Sequence, residues 1–266
     1  MQSHHLVRLT GTTYPIYKPL RLQAQQGRTM LMFPAIDPVL FKFGPLTVHW
    51  YGVMYLVAFG SAWGLAKYRA RQLGFDYSQI ADLIVWGALG AVLGGRLGYV
   101  LFYRGTDVLI DPWLPLRIWQ GGMSFHGGLI GVVIAILLFA RRQRLSFYRL
   151  MDFVVPLVPL GLGAGRLGNF IGGELWGRPT DLPWGMVFPH VDQLARHPSQ
   201  LYQCFLEGVV LFTLIWIYSA SPRQPLAVSG LFLLAYGSLR CLVELARQPD
   251  VHMGEQGFIA WGWLTQ

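Results

Sequence analysis

The sequence predicts an all-α, polytopic membrane protein, and three observations support this fold class. First, 53% of the 266 residues are hydrophobic and only 13% are charged, whereas soluble domains carry about a quarter charged residues. Second, residues 50–66 and 118–140 contain no Asp, Glu, Lys or Arg. Third, basic residues follow alternate apolar runs. A helix needs about 20 mostly apolar residues to cross the hydrocarbon layer, so these runs match membrane spans and exceed the length of core strands.

Six spans are predicted, in chain order 47–66, 81–103, 118–140, 152–172, 200–219 and 227–246. Before them, residues 1–30 carry four basic residues and no acid. We expect this stretch to be a disordered tail, or to precede a true start at Met30 or Met32. Residues 31–266 are expected to form one transmembrane domain.

The basic residues sort by side of the membrane. Clusters follow the first, third and fifth spans: Lys67, Arg69 and Arg71; Arg141, Arg142, Arg144 and Arg149; and Arg223. Cytoplasmic loops of membrane proteins carry an excess of Lys and Arg, so the first span is expected to begin outside the cell. The net charge of +8 then reflects topology and attraction to anionic lipids, and no nucleic-acid partner is expected.

The stretch GAGRLG, residues 163–168, matches the dinucleotide fingerprint G-x-G-x-x-G. That fingerprint requires a preceding strand and a βαβ unit, and here an apolar span precedes it, so we reject nucleotide binding. Small residues at every fourth position let two helix backbones approach closely in a bilayer. The second and fourth spans both have this spacing, which predicts that they pack together: Gly90, Gly94 and Gly98, and Gly161, Gly165, Gly168 and Gly172.

Charged residues in or at the ends of spans are the main functional candidates: Arg96, Arg166, Glu174, Glu207, Arg240 and Glu244. Such groups are costly in a bilayer and usually pair with one another or face a wet cavity. Mutual neutralisation stays an open explanation for Arg96, Glu207 and Glu244, and Arg240 is four residues from Glu244.

Arg166 differs, because Asn169 shares its helix face and glycines flank it. This pattern predicts a polar recess rather than a sealed salt bridge. A guanidinium can grip a phosphate with two parallel hydrogen bonds, and a phosphate at that depth belongs to a lipid. Extension of the arginine to the membrane interface is the alternative.

His126 lies in GGMSFHGG within the third predicted span. Flanking glycines would leave its ring accessible, and His is suited to proton transfer near neutral pH. A satisfied structural histidine is the alternative. Tyr51 and Tyr236 are further candidates, or members of interfacial aromatic belts. No His, Cys or Asp spacing suggests a metal site, and no cofactor is expected.

Several longer motifs occur in order between about residues 33 and 250: HWYGVMYLVAF, GGRLGYVLFY, GGMSFHGGLIG, GLGAGRLGNFI followed by GELWGR, RHPSQLY and RQPD. This series resembles bacterial prolipoprotein diacylglyceryl transferases. The resemblance implies an inner-membrane enzyme with seven spans and an outward N-terminus. It implies transfer of a diacylglyceryl group from phosphatidylglycerol, a co-substrate, to the lipobox cysteine in the signal peptide of a prolipoprotein. Glycerol phosphate would be released.

The same resemblance implies the site residues. Arg166 would bind the phosphatidylglycerol headgroup, with the neighbouring positions Asn169, Glu174 and Gly177. His126 and Arg240 would be catalytic, and Tyr51 and Tyr236 would contribute to substrate binding. The thiolate that attacks the glyceryl carbon would be generated by His126 or by a nearby guanidinium, and this choice stays open.

The sequence departs from the family pattern at three places. Gly172 stands where the family usually has Asn, and Gln203 stands where it usually has Glu. WGWLTQ, at the end of the sequence, resembles only the beginning of the family's seventh span, so activity of this chain is an expectation to be tested.

Two other function classes were weighed. A transporter would also explain charges within spans, but it predicts paired broken segments in two related halves, which the sequence lacks. A non-catalytic lipid-binding scaffold would keep Arg166 and the glycines but has no use for His126.

Overall fold

A computed structural model describes residues 30–34, 36–44, 46–73, 76–118 and 121–248. The predicted tail before Met30 and the segment that resembles the start of a seventh span both lie outside the described residues. The predictions for these two segments, and for a single domain over 31–266, therefore stay predictions.

The described part is mainly helical. Its α-helices are α1 (Trp50–Leu73), α2 (Tyr77–Tyr103), α3 (Phe125–Gln143), α4 (Phe147–Val154), α5 (Val158–Ile171), α6 (Ser199–Gln203), α7 (Leu211–Tyr218) and α8 (Ala227–Glu244). A 3₁₀ turn at Val155–Leu157 joins α4 to α5, and a π-helix at Cys204–Val210 joins α6 to α7. Each junction therefore continues one long helical segment.

Short strands lie beside the helices: β1 (Leu31–Met32), β2 (Val39–Phe43), β3 (Leu46–His49), β4 (Met186–Val187) and β5 (Ala195–Arg196). β2 and β3 form an antiparallel hairpin directly before α1. β4 pairs with β1 in parallel and with β5 in antiparallel orientation. This small sheet brings the beginning of the described chain next to the loop that follows α5.

Five helical segments of the described chain are long and apolar enough to cross a membrane, and they correspond to the second to sixth predicted spans: Ser78–Tyr103, Phe125–Gln143, Phe147–Ile171, Ser199–Tyr218 and Ala227–Glu244. The first predicted span is helical as α1 but is not among the five. Its aromatic and glycine residues and its basic end lower its hydropathy. A polytopic helical membrane protein is confirmed, and five of the six spans are supported.

The third predicted span begins too early. Gly121 and Gly122 have φ angles of 74° and 80°, which interrupt a right-handed helix. Ser124 then caps α3, because its hydroxyl accepts a hydrogen bond from the Gly127 amide at 3.2 Å. His126 therefore lies in the first turn of α3 rather than further along it.

The predicted packing of the second span on the fourth is wrong. The glycines of α2 face α3 instead: a Cβ on Gly94 would lie 2.4 Å from the Gly127 carbonyl oxygen, and one on Gly90 would lie 2.6 Å from that of Gly131. Glycine spacing indicates that a helix can approach another one closely, but it does not show which helix is the partner. Here the partner of α2 is α3, the next helix along the chain.

The fourth predicted span packs on α1 and on the π-helix. A Cβ on Gly168 would contact the Tyr51 ring at 3.0 Å, and one on Gly163 would contact the Cα of Gly208 at 3.0 Å. These glycines in α5 bring its backbone close to two neighbours. They thereby determine which side chains surround Arg166.

Successive long helices run in alternating directions, as the facing residues of α2 and α3 show. At one end of the bundle α1, α3 and α6 begin and α2, α5 and α8 end; we name this end the site face. Toward the opposite end, a buried cluster that includes Ile80, Ile136 and Phe139 forms the apolar core. The polar candidates are thus grouped away from that core.

Candidate active site

Arginine and glutamate side chains from three segments meet in the bundle. Arg166 Nε of α5 lies 3.6 Å from Glu207 Oε2 of the π-helix. Arg240 Nη1 of α8 lies 2.7 Å from Glu244 Oε2, and Arg247 Nη1 lies 3.7 Å from the same oxygen. Glu207 also interacts electrostatically with Arg240 and Arg247. We name these five residues the arginine cluster.

The cations of this cluster reach the surface more than the acids do. The side chains of Arg166 and Arg240 are 24% and 19% exposed, whereas those of Glu207 and Glu244 are 0% and 3% exposed. The guanidinium groups of Arg166 and Arg240 therefore each contact a carboxylate that is more deeply buried. This arrangement leaves part of each cation accessible to an anion.

Two sequence predictions are decided here. The possible pairing of Arg240 with Glu244 is confirmed by their ion pair. The prediction that Arg166 lies in a polar recess rather than in a sealed salt bridge is corrected in part: Glu207 faces Arg166 at 3.6 Å, but the pair is not sealed, because the arginine side chain is 24% exposed. The close contact of Gly163 with Gly208 brings the π-helix against α5, and this contact between distant segments could not be deduced from the sequence.

The sequence identifies Glu207 only as a possible neutralising group, whereas the structure places it at the centre of the arginine cluster. Gln200, Gln203 and Glu207 are all fully buried and follow one another at helical spacing. Both side-chain polar atoms of Gln203 lack a hydrogen-bond partner in the described part of the chain. A run of polar residues at this spacing inside an apolar span was the available signal, since such residues face the interior of a bundle.

Glu174 and Gly177 belong to the loop that follows α5, residues 172–178, which we name the strap. The Glu174 backbone amide donates to the Asn169 carbonyl at 2.9 Å, and the side-chain Nε2 of Gln200 donates to the Glu174 carbonyl at 2.5 Å. The exposed Glu174 side chain is therefore attached to a backbone that is fixed at both sides.

Gly177 is required by close contacts of the strap with the end of α8. A Cβ there would lie 2.5 Å from the Ala246 carbonyl oxygen and 2.6 Å from that of His197. Next to it, Arg178 Nε donates to the Arg247 carbonyl at 2.8 Å. The strap thus joins the end of α5, near Arg166, to the segment that carries Arg247.

Tyr51 and Glu174 line an open cleft of about 830 Å³ between the β2–β3 hairpin, the beginning of α1 and the end of α5. Tyr51 interacts electrostatically with both Glu174 and Arg166. The buried Asn169 lies one helical turn from Arg166 on α5. The structure therefore brings Tyr51, Arg166, Asn169 and Glu174 together at the site face.

Tyr236 lies on the other side of the polar network, on α8. Its ring stacks on that of Phe232 with centroids 5.8 Å apart. It interacts electrostatically with Glu207, Arg166 and Arg240. The two candidate tyrosines are thus both linked to Arg166.

His126 is the candidate that the structure does not join to the others. It is exposed in the first turn of α3, at the site face. Its recorded ring contact is with the adjacent Phe125, and no described residue forms a hydrogen bond or ion pair with it. Its catalytic role stays a prediction.

Within the described ranges, no group of three or more His, Cys, Asp or Glu side chains could hold a metal ion. Cys204 and Cys241 are both free thiols. The expectation that the protein uses no metal and no cofactor stays a prediction.

Comparison with known proteins extends over nearly the whole chain. The sequence profile of the prolipoprotein diacylglyceryl transferase family matches residues 38–265. The chain is 57% identical over 238 residues to a phosphatidylglycerol–prolipoprotein diacylglyceryl transferase of Legionella pneumophila (strain Corby), covering 89% of this chain and 92% of the relative. Enzymes of the same name from Ectopseudomonas mendocina and Coxiella burnetii are 56% and 57% identical over 239 residues, covering 89% of this chain and 89% and 90% of those relatives.

The matched region contains every predicted site residue, the arginine cluster, the strap and the cleft. Both its length and its identity exceed what a shared helical architecture alone would give. The chain belongs to the prolipoprotein diacylglyceryl transferase family.

Proposed function

We propose that the protein transfers the diacylglyceryl group of phosphatidylglycerol to the lipobox cysteine thiol of prolipoproteins. The observation that carries this proposal is the pair of partly exposed cations Arg166 and Arg240, each facing a buried carboxylate in a membrane-spanning bundle. Tyr51, which interacts with Arg166, lines the neighbouring cleft. The names of the relatives give the two substrates and the reaction class.

The lipid phosphate is the anion that suits this pair. Phospholipids are the source of phosphate at the depth of a membrane span, and guanidinium groups hold phosphate oxygens with paired hydrogen bonds. Arg166 and Arg240 would bind the headgroup phosphate, and Tyr51, Tyr236, Asn169 and Glu174 would surround it. Gly177 supports this arrangement because its missing side chain lets the strap contact the end of α8.

The chemical step forms one bond and breaks one. The cysteine sulfur, as thiolate, attacks the glyceryl carbon that carries the phosphate, and the carbon–oxygen bond to that phosphate breaks. The products are a thioether and glycerol phosphate, and the leaving phosphate keeps the electron pair. Arg166 and Arg240 stabilise the charge that builds on it, a type of contribution worth about 10²–10³ in rate for a single donor.

The thiol proton goes to a base before or during attack, and His126 is our candidate. A thiol has a pKa near 8.5, so most of it is protonated near neutral pH, and a base within reach can take the proton as the sulfur attacks. The exposed position of His126 at the site face suits a group that exchanges protons with water. No metal or cofactor is needed for this displacement.

The proposal includes a membrane placement. α1 would serve as a sixth span beside the five apolar segments, in the bacterial inner membrane. The site face would lie outside the cytoplasm, because Arg141, Arg142 and Arg223 lie at the opposite ends of their helices and positive loops stay inside. A signal peptide that crosses the membrane presents its cysteine at that outer side.

The test uses the full chain in phosphatidylglycerol vesicles with a lipobox peptide. We expect release of glycerol phosphate and a peptide mass increased by one diacylglyceryl group. The same peptide with Ser in place of Cys should give neither product. Release of phosphate that does not depend on the cysteine, or solute flux without release, would contradict the proposal.

A further inference from the structure

Arg96, in the last third of α2, is only 2% exposed and has no acidic partner among the described residues. Its Nη2 donates to the Leu114 carbonyl at 2.7 Å. Its Nη1 donates to the Gly121 carbonyl and lies 3.4 Å from that of Gly122. Its terminal nitrogens are thus paired with backbone oxygens from the segment that precedes α3, whereas its Nε is buried without a hydrogen-bond partner among the described residues.

This use of a buried charge needs a reason, because an ionised group inside a membrane span is costly and usually pairs with an acid or lines a functional site. Backbone carbonyls that point into a span without a partner are costly too. Arg96 satisfies several of them at once, since a guanidinium has five donors in a rigid fork. Its local effect is therefore to fix non-helical backbone at the site face.

Further contacts hold the same backbone. Gly121 and Gly122 adopt left-handed φ angles, and a Cβ on Gly122 would lie 2.4 Å from the Tyr99 ring. The Ser124 amide donates to the Gly95 carbonyl at 2.9 Å. Arg96 stands at the centre of these contacts, 5.7 Å from the Tyr99 ring.

His126 follows this fixed backbone by two residues. It lies in the first turn of α3, and its own ring forms no hydrogen bond or ion pair within the described chain. The position of its imidazole is therefore determined by the backbone that leads into α3. Arg96 holds the carbonyls of Gly121 and Gly122 in that backbone, and the hydrogen bond from the Ser124 amide to the Gly95 carbonyl holds its last residue before the helix.

We propose that Arg96 is a positioning residue for the transfer reaction: it fixes the glycine backbone before α3 and thereby the place of the His126 imidazole. This inference rests on the proposed function of His126 as the base. Arg96 itself does not contact the substrate, because its guanidinium is enclosed by α2 and the preceding backbone.

The central experiment is a double-mutant cycle of Arg96→Met and His126→Gln in the transfer assay. We expect Arg96→Met to lower kcat about a hundredfold, since small misplacements of a catalytic group have effects of that size, with KM for phosphatidylglycerol changed less than twofold. In the His126→Gln background the same substitution should cause no further loss, because the group it positions is absent. Arg96→Lys should recover part of the activity.

A second readout observes the histidine directly. Diethylpyrocarbonate modification of His126, followed by peptide mass spectrometry on the full chain in detergent, should change in rate by severalfold in Arg96→Met. Gly122→Ala, which disturbs the same backbone without removing the guanidinium, should change it in the same way. Arg142→Met is the matched control, because Arg142 is an exposed arginine in the last turn of α3, at the opposite end of that helix from His126.

Three outcomes would overturn the inference: unchanged activity in Arg96→Met, an equal loss in the His126→Gln background, or unchanged labelling of His126 in both Arg96→Met and Gly122→Ala. If Arg96→Met does not fold, Arg96→Lys and Gly122→Ala decide by the same criteria. Failure of the proposed function is distinguishable, because the unmodified chain would then release no glycerol phosphate while the labelling comparison still reports on position.

Discussion

The tetrapeptide Gly-Arg-Leu-Gly occurs twice, at residues 95–98 in α2 and at residues 165–168 in α5, and the two copies have different surroundings. Arg96 is 2% exposed and donates to backbone carbonyls. Arg166 is about a quarter exposed and faces the buried carboxylate of Glu207. The same four residues thus give an enclosed structural contact in one helix and an accessible cation in the other.

The glycines of the two copies explain the difference. In α2, a Cβ on Gly98 would lie 2.7 Å from the Cα of Gly127, so the seam between α2 and α3 is closed. In α5, a Cβ on Gly168, which corresponds to Gly98, would lie 3.0 Å from the Tyr51 ring. The first glycines of the two copies also differ: a Cβ on Gly95 would lie 3.4 Å from the Met123 sulfur, whereas one on Gly165 would meet nothing within 4 Å. Open space therefore adjoins Arg166. A glycine beside an intramembrane arginine can mean either a tight contact or room for a ligand, and only the structure distinguishes them.

The largest expected effect is a loss of transfer activity on replacement of Arg166, the arginine of the α5 copy. Arg166→Gln removes the charge but keeps much of the side chain, and we expect kcat for transfer to fall by about 10²–10³, the usual cost of removing one transition-state donor. The unfolding midpoint should fall modestly, because the buried Glu207 loses one cation while Arg240 and Arg247 still interact with it. Glycerol phosphate release at saturating substrates and thermal unfolding in detergent measure the two quantities.

Arg223→Gln is the matched control, since Arg223 is an exposed arginine at the opposite face that contacts Tyr218. It should retain near-normal transfer. Retained transfer in Arg166→Gln, or a loss that merely follows unfolding, would remove the functional distinction between the two copies.

The sequence was sufficient for the fold class because hydropathy and charge are properties of each segment alone. α2 and the segments that follow it were recognisable from their apolar length, as was the pairing of Arg240 with Glu244 four residues away. The helices against which each of them packs could not be recognised in this way. Glycine spacing records that two backbones approach, but the geometry of Gly94 on Gly127 depends on chain connectivity and on the whole bundle.

The second prediction concerns the closed seam. Gly131→Ala would place a Cβ 2.1 Å from the Gly90 carbonyl oxygen and 2.8 Å from the Cα of Gly94, so the backbones must separate. We expect a loss of about 1–3 kcal/mol in the free energy of unfolding, as for other overpacked interiors. Gly87→Ala in α2, the other helix of the seam, where a Cβ meets nothing within 4 Å, should be neutral or slightly stabilising.

Denaturant unfolding of the three proteins in one detergent gives the comparison. Equal stability of Gly131→Ala and Gly87→Ala would show that the seam is looser than the contact distances indicate. The burial of Arg96 could then no longer be attributed to close packing of α2 on α3.

The residue types of the site could be predicted from the sequence, but the contacts between these residues could not. Arg166 and Arg240 were identified because charges in spans are rare. Glu207 was identified only as a possible neutralising group, because its approach to Arg166 depends on a π-helix, in which the side chains follow a different spacing from that of an α-helix. The fixed backbone around Gly177 was also invisible, since it depends on carbonyls 20 and 69 residues away in sequence.

The smallest expected effect is on the pH dependence of stability, and it concerns the strap that follows the α5 copy. The seam between α2 and α3 does not include this loop. The Gly177 amide donates to the His197 carbonyl at 2.9 Å, so the His197 backbone supports the α5 side of the comparison. Burial lowers the pKa of the His197 imidazole below its ordinary value of 6.5, because burial disfavours the charged form. The unfolded chain therefore binds a proton more readily than the folded chain does.

The sign of the pH dependence follows from this difference. The stabilising contribution of neutral His197 is present above about pH 6.5 and is lost as the pH falls toward the lower folded pKa. Acidification from pH 7.5 to 5.5 should thus lower the unfolding temperature less in His197→Gln than in the unmodified chain. Tyr202→Phe removes the hydroxyl that lies 3.2 Å from His197 Nδ1 but keeps the buried imidazole, so it should retain the original pH dependence. An identical pH response in His197→Gln would mean that protonation of this histidine does not contribute to the acid sensitivity of the fold.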